Sequence, residues 1–183
     1  MESSPSNVLV RRILEHAADY PWTMQDIGLL GLRLDDKREY RLHVWDASDG
    51  GGDPPIHDHP FDFTSTVIAG EMTNTRYEED SAGVEYRRER YRLPNEHARR
   101  TDTVRLSGTA TTITAGNDYS QLARELHDSR QLPGTVTIIR RSFNDVSELT
   151  VCSRGEAAWV SGRSRSATPD EVKRITAMAL ELF

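Results

Sequence analysis

The chain has 183 residues, with 23 Lys+Arg against 29 Asp+Glu and a formal net charge of −6. That length suits one domain with one core, and the mildly acidic balance speaks against general binding to nucleic acid or anionic membranes. Cys152 is the single cysteine, so no intramolecular disulfide forms and no oxidising compartment is called for. Met1–Asn7 is polar and the apolar runs are short; the expectation is a cytoplasmic protein with no signal peptide and no membrane span.

The first predicted element is a helix over about residues 7–19. Leu9, Ile13 and Ala17 recur at spacing four among Arg11, Arg12 and Glu15, and Pro21 ends it. From about Ile27 to Cys152 the texture changes to short β-rich runs between turn clusters, which predicts an all-β sandwich or barrel. The runs are Leu29–Leu34, Arg38–Trp45, Ile56–Ile68, Glu71–Glu78, Val84–Leu93, Val104–Leu106, Ala110–Ile113, Gln121–Leu126, Thr135–Arg140 and Glu148–Val151. Ser48–Pro55 reads as a loop from its Gly and Pro content, and Asp80–Gly83 as the turn of a hairpin. A polar stretch, Ser161–Ala167, leads to a helix over about 169–182. Thr168 suits its cap, Pro169 its first position, and Asp170 and Glu171 its positive end. Val172, Ile175, Ala179 and Leu182 form its apolar stripe.

Two of the six histidines stand in Ile56-His-Asp-His-Pro60. Side chains two apart on a strand share a face, so His57 and His59 can offer nitrogens to one ion while Asp58 points away. Alone, such a pair is as readily a surface accident or two hydrogen-bonded rings. Its surroundings narrow the choice. Gly70 follows His59 by eleven residues, and Gly116 precedes His127 by eleven.

With a glycine near Gly52, these residues resemble the two motifs of the cupins over about residues 50–135. The resemblance implies a jelly-roll barrel, here a single cupin domain over 1–183, holding one divalent metal on His57, His59 and His127. Phe63 stands where the cupin motif has its Glu, and neighbouring Asp62 is expected to face away. Leu122, Arg124 and Gln131 depart from the second motif. Three neutral histidines without a carboxylate leave the ion's charge unneutralised and favour anionic ligands.

A three-histidine cupin site, preceded by Tyr40-Arg-Leu-His-Val-Trp45, a Gly-rich loop and an N-terminal helix, also resembles the cysteine dioxygenase group of thiol dioxygenases. That resemblance implies iron(II), with O2 and a small thiol-bearing substrate side by side and an upstream arginine on the substrate carboxylate. Arg33 is the nearest candidate, with Arg41 and Arg76 behind it. The family's His and Tyr after the third ligand are missing from Thr135–Arg140. The expected protein is therefore a metal-dependent, dioxygenase-like oxidoreductase with a different small anionic or thiol-bearing substrate. The alternative is a non-catalytic cupin module that binds or senses a small ligand. Zinc, nickel, copper or cobalt suit the same donors. A homodimer through edge strands is a further expectation from cupin-like barrels.

Tyr119 can reach the pocket. Arg140 either adds positive charge there or points outward. His43 shares a strand face with Arg41 and Trp45. The run Tyr86–Arg92 is expected to form cross-strand ion pairs rather than a nucleic-acid surface.

Overall fold

The computed structural model describes residues 5–46, 55–92, 97–143, 148–154 and 164–183, with only the backbone at 97–99. Its elements are α1 (Pro5–Glu15), a 3-10 turn (Ala17–Asp19), β1 (Thr23–Gln25), β2 (Leu29–Arg33), β3 (Tyr40–Trp45), β4 (Ile56–His57), β5 (Phe61–Ala69), β6 (Glu71–Arg92), β7 (His97–Thr114), β8 (Asp118–Gln121), β9 (Leu126–Gln131), β10 (Val136–Phe143), β11 (Glu148–Ser153), β12 (Arg165–Ser166) and α2 (Pro169–Leu180). Gly52 and most of the predicted Ser48–Pro55 loop lie outside the described residues.

All strand pairings are antiparallel. One sheet runs β12-β1-β2-β3-β10-β5-β8 and the other β11-β4-β9-β6-β7. From β3 to β12 the chain crosses from one sheet to the other at every step except β6 to β7. Such alternation is that of a jelly roll, so the fold is the expected all-β jelly roll, with a helix at each end.

The largest apolar core is not inside the barrel. Leu30, Leu32, Leu42, Val44, Ile68 and Val136 on the outer face of the seven-stranded sheet pack against Val10, Ile13 and Leu14 of α1 and Val172, Ile175 and Ala179 of α2. Spacing of three and four places each helical set on one stripe. On α1 that stripe is Val10, Ile13 and Leu14, continued by Ala17 of the 3-10 turn; Leu9, expected in it, is 61% exposed. Leu182, expected on the stripe of α2, lies beyond the helix and is 45% exposed. Replacing fully buried Ile175 by Ala would cost about 2–5 kcal/mol.

The predicted hairpin about Asp80–Gly83 is a different object. Glu71–Arg92 is one long strand, and its hairpin partner is β7, which unites the predicted Val104–Leu106 and Ala110–Ile113 runs. Both Glu79 and Val84 oppose Leu106, so Asp80–Gly83 is extra chain inserted into the ladder. Past it, β6 pairs with β11, while before it β6 pairs with β9. The five-stranded sheet thereby closes through β6, β9, β4 and β11 around Ile56, Tyr86, Val104, Leu106 and Cys152. The basic run in β6 forms ion pairs, chiefly Arg88 with Asp102 of β7 at 2.8 Å and with Glu79 at 2.5 Å.

No helix among the described residues is long and apolar enough to cross a membrane. The start of α2 carries a full capping box: Thr168 Oγ1 accepts from Glu171 N, and the Glu171 carboxylate accepts from Thr168 N at 2.8 Å. Arg165 donates to the same carboxylate at 2.8 Å, and together these hold Glu171 down at about 2. A depressed carboxyl stabilises above its unfolded value of 4.5 and loses that contribution as pH falls towards 2. Glu171→Gln is therefore expected to lower Tm at pH 7, with the deficit vanishing near pH 2. Thr168→Ala is expected to cost about 1 kcal/mol in urea unfolding at pH 7.

Candidate metal centre

His57 sits on β4, the two-residue strand, directly opposite His127 on β9. His59 lies just past the end of β4 rather than within it. Two bonds hold that extension: Asp58 N donates to Thr150 O at 3.1 Å, and Arg124 N donates to His59 O at 3.2 Å. The three imidazoles converge, each offering a nitrogen within 4.8 Å of the others. His59 Nε2 and His127 Nε2 are 3.0 Å apart.

Two of the rings are tied on their far side. His57 Nδ1 donates to Pro55 O at 3.0 Å. His127 Nδ1 meets Asn74 Oδ1 at 2.8 Å, and Ser129 Oγ donates to the same oxygen at 3.1 Å. Both arrangements assign the proton to Nδ1 and leave Nε2 unprotonated, that of His127 facing His59 Nε2. Burial pushes all three rings away from the charged form: His57 below its usual value, His59 well below, and His127 to about 3. Neutral imidazole is the form that ligates a metal. Two such nitrogens about 2.1 Å from one ion, at right angles, lie about 3.0 Å apart. The His59–His127 spacing therefore suits two ligands of one divalent ion, with His57 beside them.

The flanking carboxylates are turned elsewhere. Asp58 is buried and its Oδ1 accepts from Thr150 N at 2.7 Å. Asp62 Oδ1 accepts from Ala123 N at 2.7 Å. Asp128 Oδ2 accepts from the Tyr77 hydroxyl at 2.8 Å. Each precedes or follows an inward residue by one, and strand alternation sends it to the other face. Aromatic rings take the inner space. Phe61 stacks on His59 at 5.0 Å, and Phe63, where a cupin glutamate was looked for, stands edge-on to it at 5.2 Å.

The predicted substrate residues separate. Arg33 and Arg41 are cross-strand partners, on the inner face with His43. Arg41 is half-buried and Arg33 exposed. Arg76 is exposed and donates to Ser120 O, reaching from one sheet to the other beside His127. Tyr119 lies one layer below the triad, edge-on to Phe63 at 5.8 Å, with burial raising its phenol. Arg140 points outward, exposed, its guanidinium 5.9 Å from the Tyr40 ring. Ile138 likewise faces the helices. The inward arginine is Arg141, opposite Phe63 in the ladder and 4.5 Å above the Phe61 ring. Arg141 and Asn74 were missed. Of the two placements open to Arg140, the outward one holds: the helices cover the face of β10 that carries Ile138, so Thr137, Ile139 and Arg141 face the barrel.

His43 is buried on the inner face, edge-on to Trp45 at 6.2 Å, and burial lowers it to about 3. Cys152 is buried opposite Ile56, its thiol raised to about 11 by burial.

No family model and no curated protein matches this chain. Among solved structures it is similar to Drosophila melanogaster CENP-C bound to CAL1, at 8% identity over 77% of this chain and 100% of that one, with a TM-score of 0.41. It is similar to hydroquinone 1,2-dioxygenase PnpCD in complex with Cd2+ and 4-hydroxybenzonitrile, at 13% identity over 60% and 61%, TM-score 0.33. The polyketide cyclase RemF from Streptomyces resistomycificus aligns at 16% identity over 89% and 91%, TM-score 0.27. At that level of likeness only this chain's own geometry bears on what it does.

In chelator-treated protein at pH 7, nitrogen-15 NMR of the imidazoles is expected to show His57 and His127 protonated at Nδ1 and His59 at Nε2. His127 is expected to stay neutral at pH 5, consistent with its low value of about 3; a His127 ring titrating near 6.5 would contradict the burial argument.

Proposed function

We propose that this protein is a mononuclear metal-dependent cupin enzyme, a dioxygenase-like oxidoreductase acting on a small anionic or thiol-bearing substrate. The observation that carries this reading is the convergence of His57, His59 and His127, neutral and with their nitrogens within 4.8 Å. Iron(II) is the proposed ion, and zinc, nickel, copper and cobalt suit the same donors. When bound, the ion would supply an electrophilic centre with open positions for an anionic donor and for O2. The chain's own residues do the rest. Pro55 O and Asn74 orient two rings. Phe61 and Phe63 keep water from the triad's inner side. Arg141 places positive charge beside His59, and Arg41 beside His43, which draws an anion towards the site.

Thr137, Ile139 and Arg141 share the inward face of β10, where the thiol dioxygenases this chain resembles place His and Tyr. Free cysteine is accordingly expected to be a poor substrate, consumed with O2 at well under about 1 per second.

Metal analysis of untagged protein tests the site. One ion per chain is expected, and His59→Ala is expected to abolish stoichiometric metal; full occupancy in that variant would overturn the assignment. Asn74→Ala is expected to weaken metal affinity about 10–100-fold while leaving the fold intact. O2 uptake by iron(II)-loaded protein across small carboxylates and thiols separates an enzyme from a binding module, the latter giving metal and ligand binding without uptake.

A further inference from the structure

Arg33, Arg41 and Arg141 make a cluster that no carboxylate among the described residues neutralises. Arg33 and Arg41 oppose each other across β2 and β3. Arg41 opposes Ile139 across β3 and β10, so Arg141, two residues on, is its diagonal neighbour on the same face. Among the described residues no ion pair joins any of the three to a carboxylate. Asp35 closes a turn by accepting from Glu39 N at 3.1 Å and Tyr40 N at 2.5 Å. Glu39 meets Arg141 through its main-chain oxygen, which accepts from Arg141 N at 2.8 Å.

Two donors in the cluster are orphaned. The Nε atoms of Arg41 and Arg141 are buried and have no hydrogen-bond partner. Burial and mutual repulsion lower both guanidiniums, Arg141 to about 10. A buried donor without a partner is costly, and adjacent like charges add to that cost. A fold that keeps such a group without an internal partner fits one whose partner comes from outside. The guanidinium fork suits an oxyanion that can accept two parallel bonds.

We infer that Arg33, Arg41 and Arg141 bind a doubly charged oxyanion group of a small molecule, with the rest of that molecule reaching the three histidines. Charge sets the class. Three cations around one monocarboxylate remain two charges in excess, whereas a dianion leaves one, carried by exposed Arg33. Position sets the direction. The Arg141 guanidinium lies over Phe61 at 4.5 Å, and Phe61 stacks on His59 at 5.0 Å, so the cluster and the triad border one continuous aromatic floor. The inference rests on the proposed metal site only for where the ligand's other end goes.

The shared chemistry has two sources, a phosphoryl group or a pair of carboxylates. Titration calorimetry of the full chain after chelator treatment, at constant ionic strength, separates them with inorganic phosphate, succinate and acetate as probes. Phosphate or succinate is expected to bind at least tenfold more tightly than acetate, and the tighter of the two identifies the source. Arg41→Gln and Arg141→Gln are each expected to weaken that binding at least tenfold, while Arg140→Gln, on the outer face one residue away, leaves it within twofold. Should Arg41→Gln fail to fold, Arg141→Gln and the unmodified chain still decide. Phosphate or succinate should raise the Tm of the unmodified chain and not that of Arg141→Gln. Equal affinity for acetate and both dianions, or equal losses in Arg140→Gln and Arg141→Gln, would overturn the inference. Because no metal takes part, its failure is separate from loss of metal in His59→Ala.

Discussion

Side chains on the seven-stranded sheet alternate between two unlike surroundings, and the site depends on that alternation. One face carries Leu30, Leu32, Leu42, Val44, Ile68 and Val136 into the layer beneath the helices. The opposite face, offset by one residue along each strand, carries Arg41, His43, Trp45, Ser65, Thr137 and Arg141 into the barrel. A one-residue slip of any of these strands would exchange the sets, placing guanidiniums against α1 and α2 and leucines against the histidines. The apolar layer under the helices therefore fixes the register of the polar interior. The bulk of the hydrophobic burial lies outside the barrel, which leaves the inside free to hold groups that stabilise nothing by themselves.

The second sheet solves a different problem. His57 is carried by a two-residue strand, too short to be held by its own ladder. Ile56 anchors it, packed among Tyr86, Val104, Leu106 and Cys152. That small core exists because β6 carries extra residues at Asp80–Gly83 and then turns to pair with β11. Asp58 adds a bond from its carboxylate to Thr150 N. The ligand pair is thus set from its outer side, by residues that face away from the triad. Within the triad, Pro55 O and Asn74 fix ring orientation, and burial keeps the rings neutral. Neutral rings and inward arginines leave the site's net charge positive with or without an ion, an electrostatic setting for anions.

Much of this was legible in the chain itself. The i, i+2 histidine pair, the spacing from His59 to Gly70 and from Gly116 to His127, and the β-rich runs point to a jelly roll with three converging histidines. The glycine landmarks have a local cause: Gly70 and Gly116 both adopt positive φ, at 82° and 88°, where other residues are strained. Helix capping at Thr168-Pro169-Asp170-Glu171 is equally local. Each of these signals depends on a few neighbouring residues, so no tertiary contact is needed to read it.

Other features were decided only in three dimensions. Whether Arg140 or Arg141 faces the triad is a matter of strand phase, and phase is set by which face of the sheet the helices cover. Pattern alone leaves both placements of Arg140 open, and the helices decide between them. Asn74 supports His127 from 53 residues away in sequence, on a different strand. Asp80–Gly83 has the composition of a hairpin turn, yet β7 pairs with β6 on both sides of it, and β9 before it and β11 past it hold the strand continuous. Composition and spacing determined the kind of fold and the identity of the histidines. Packing against α1 and α2 determined which charges share their cavity, because a strand presents two faces and only its partners select between them.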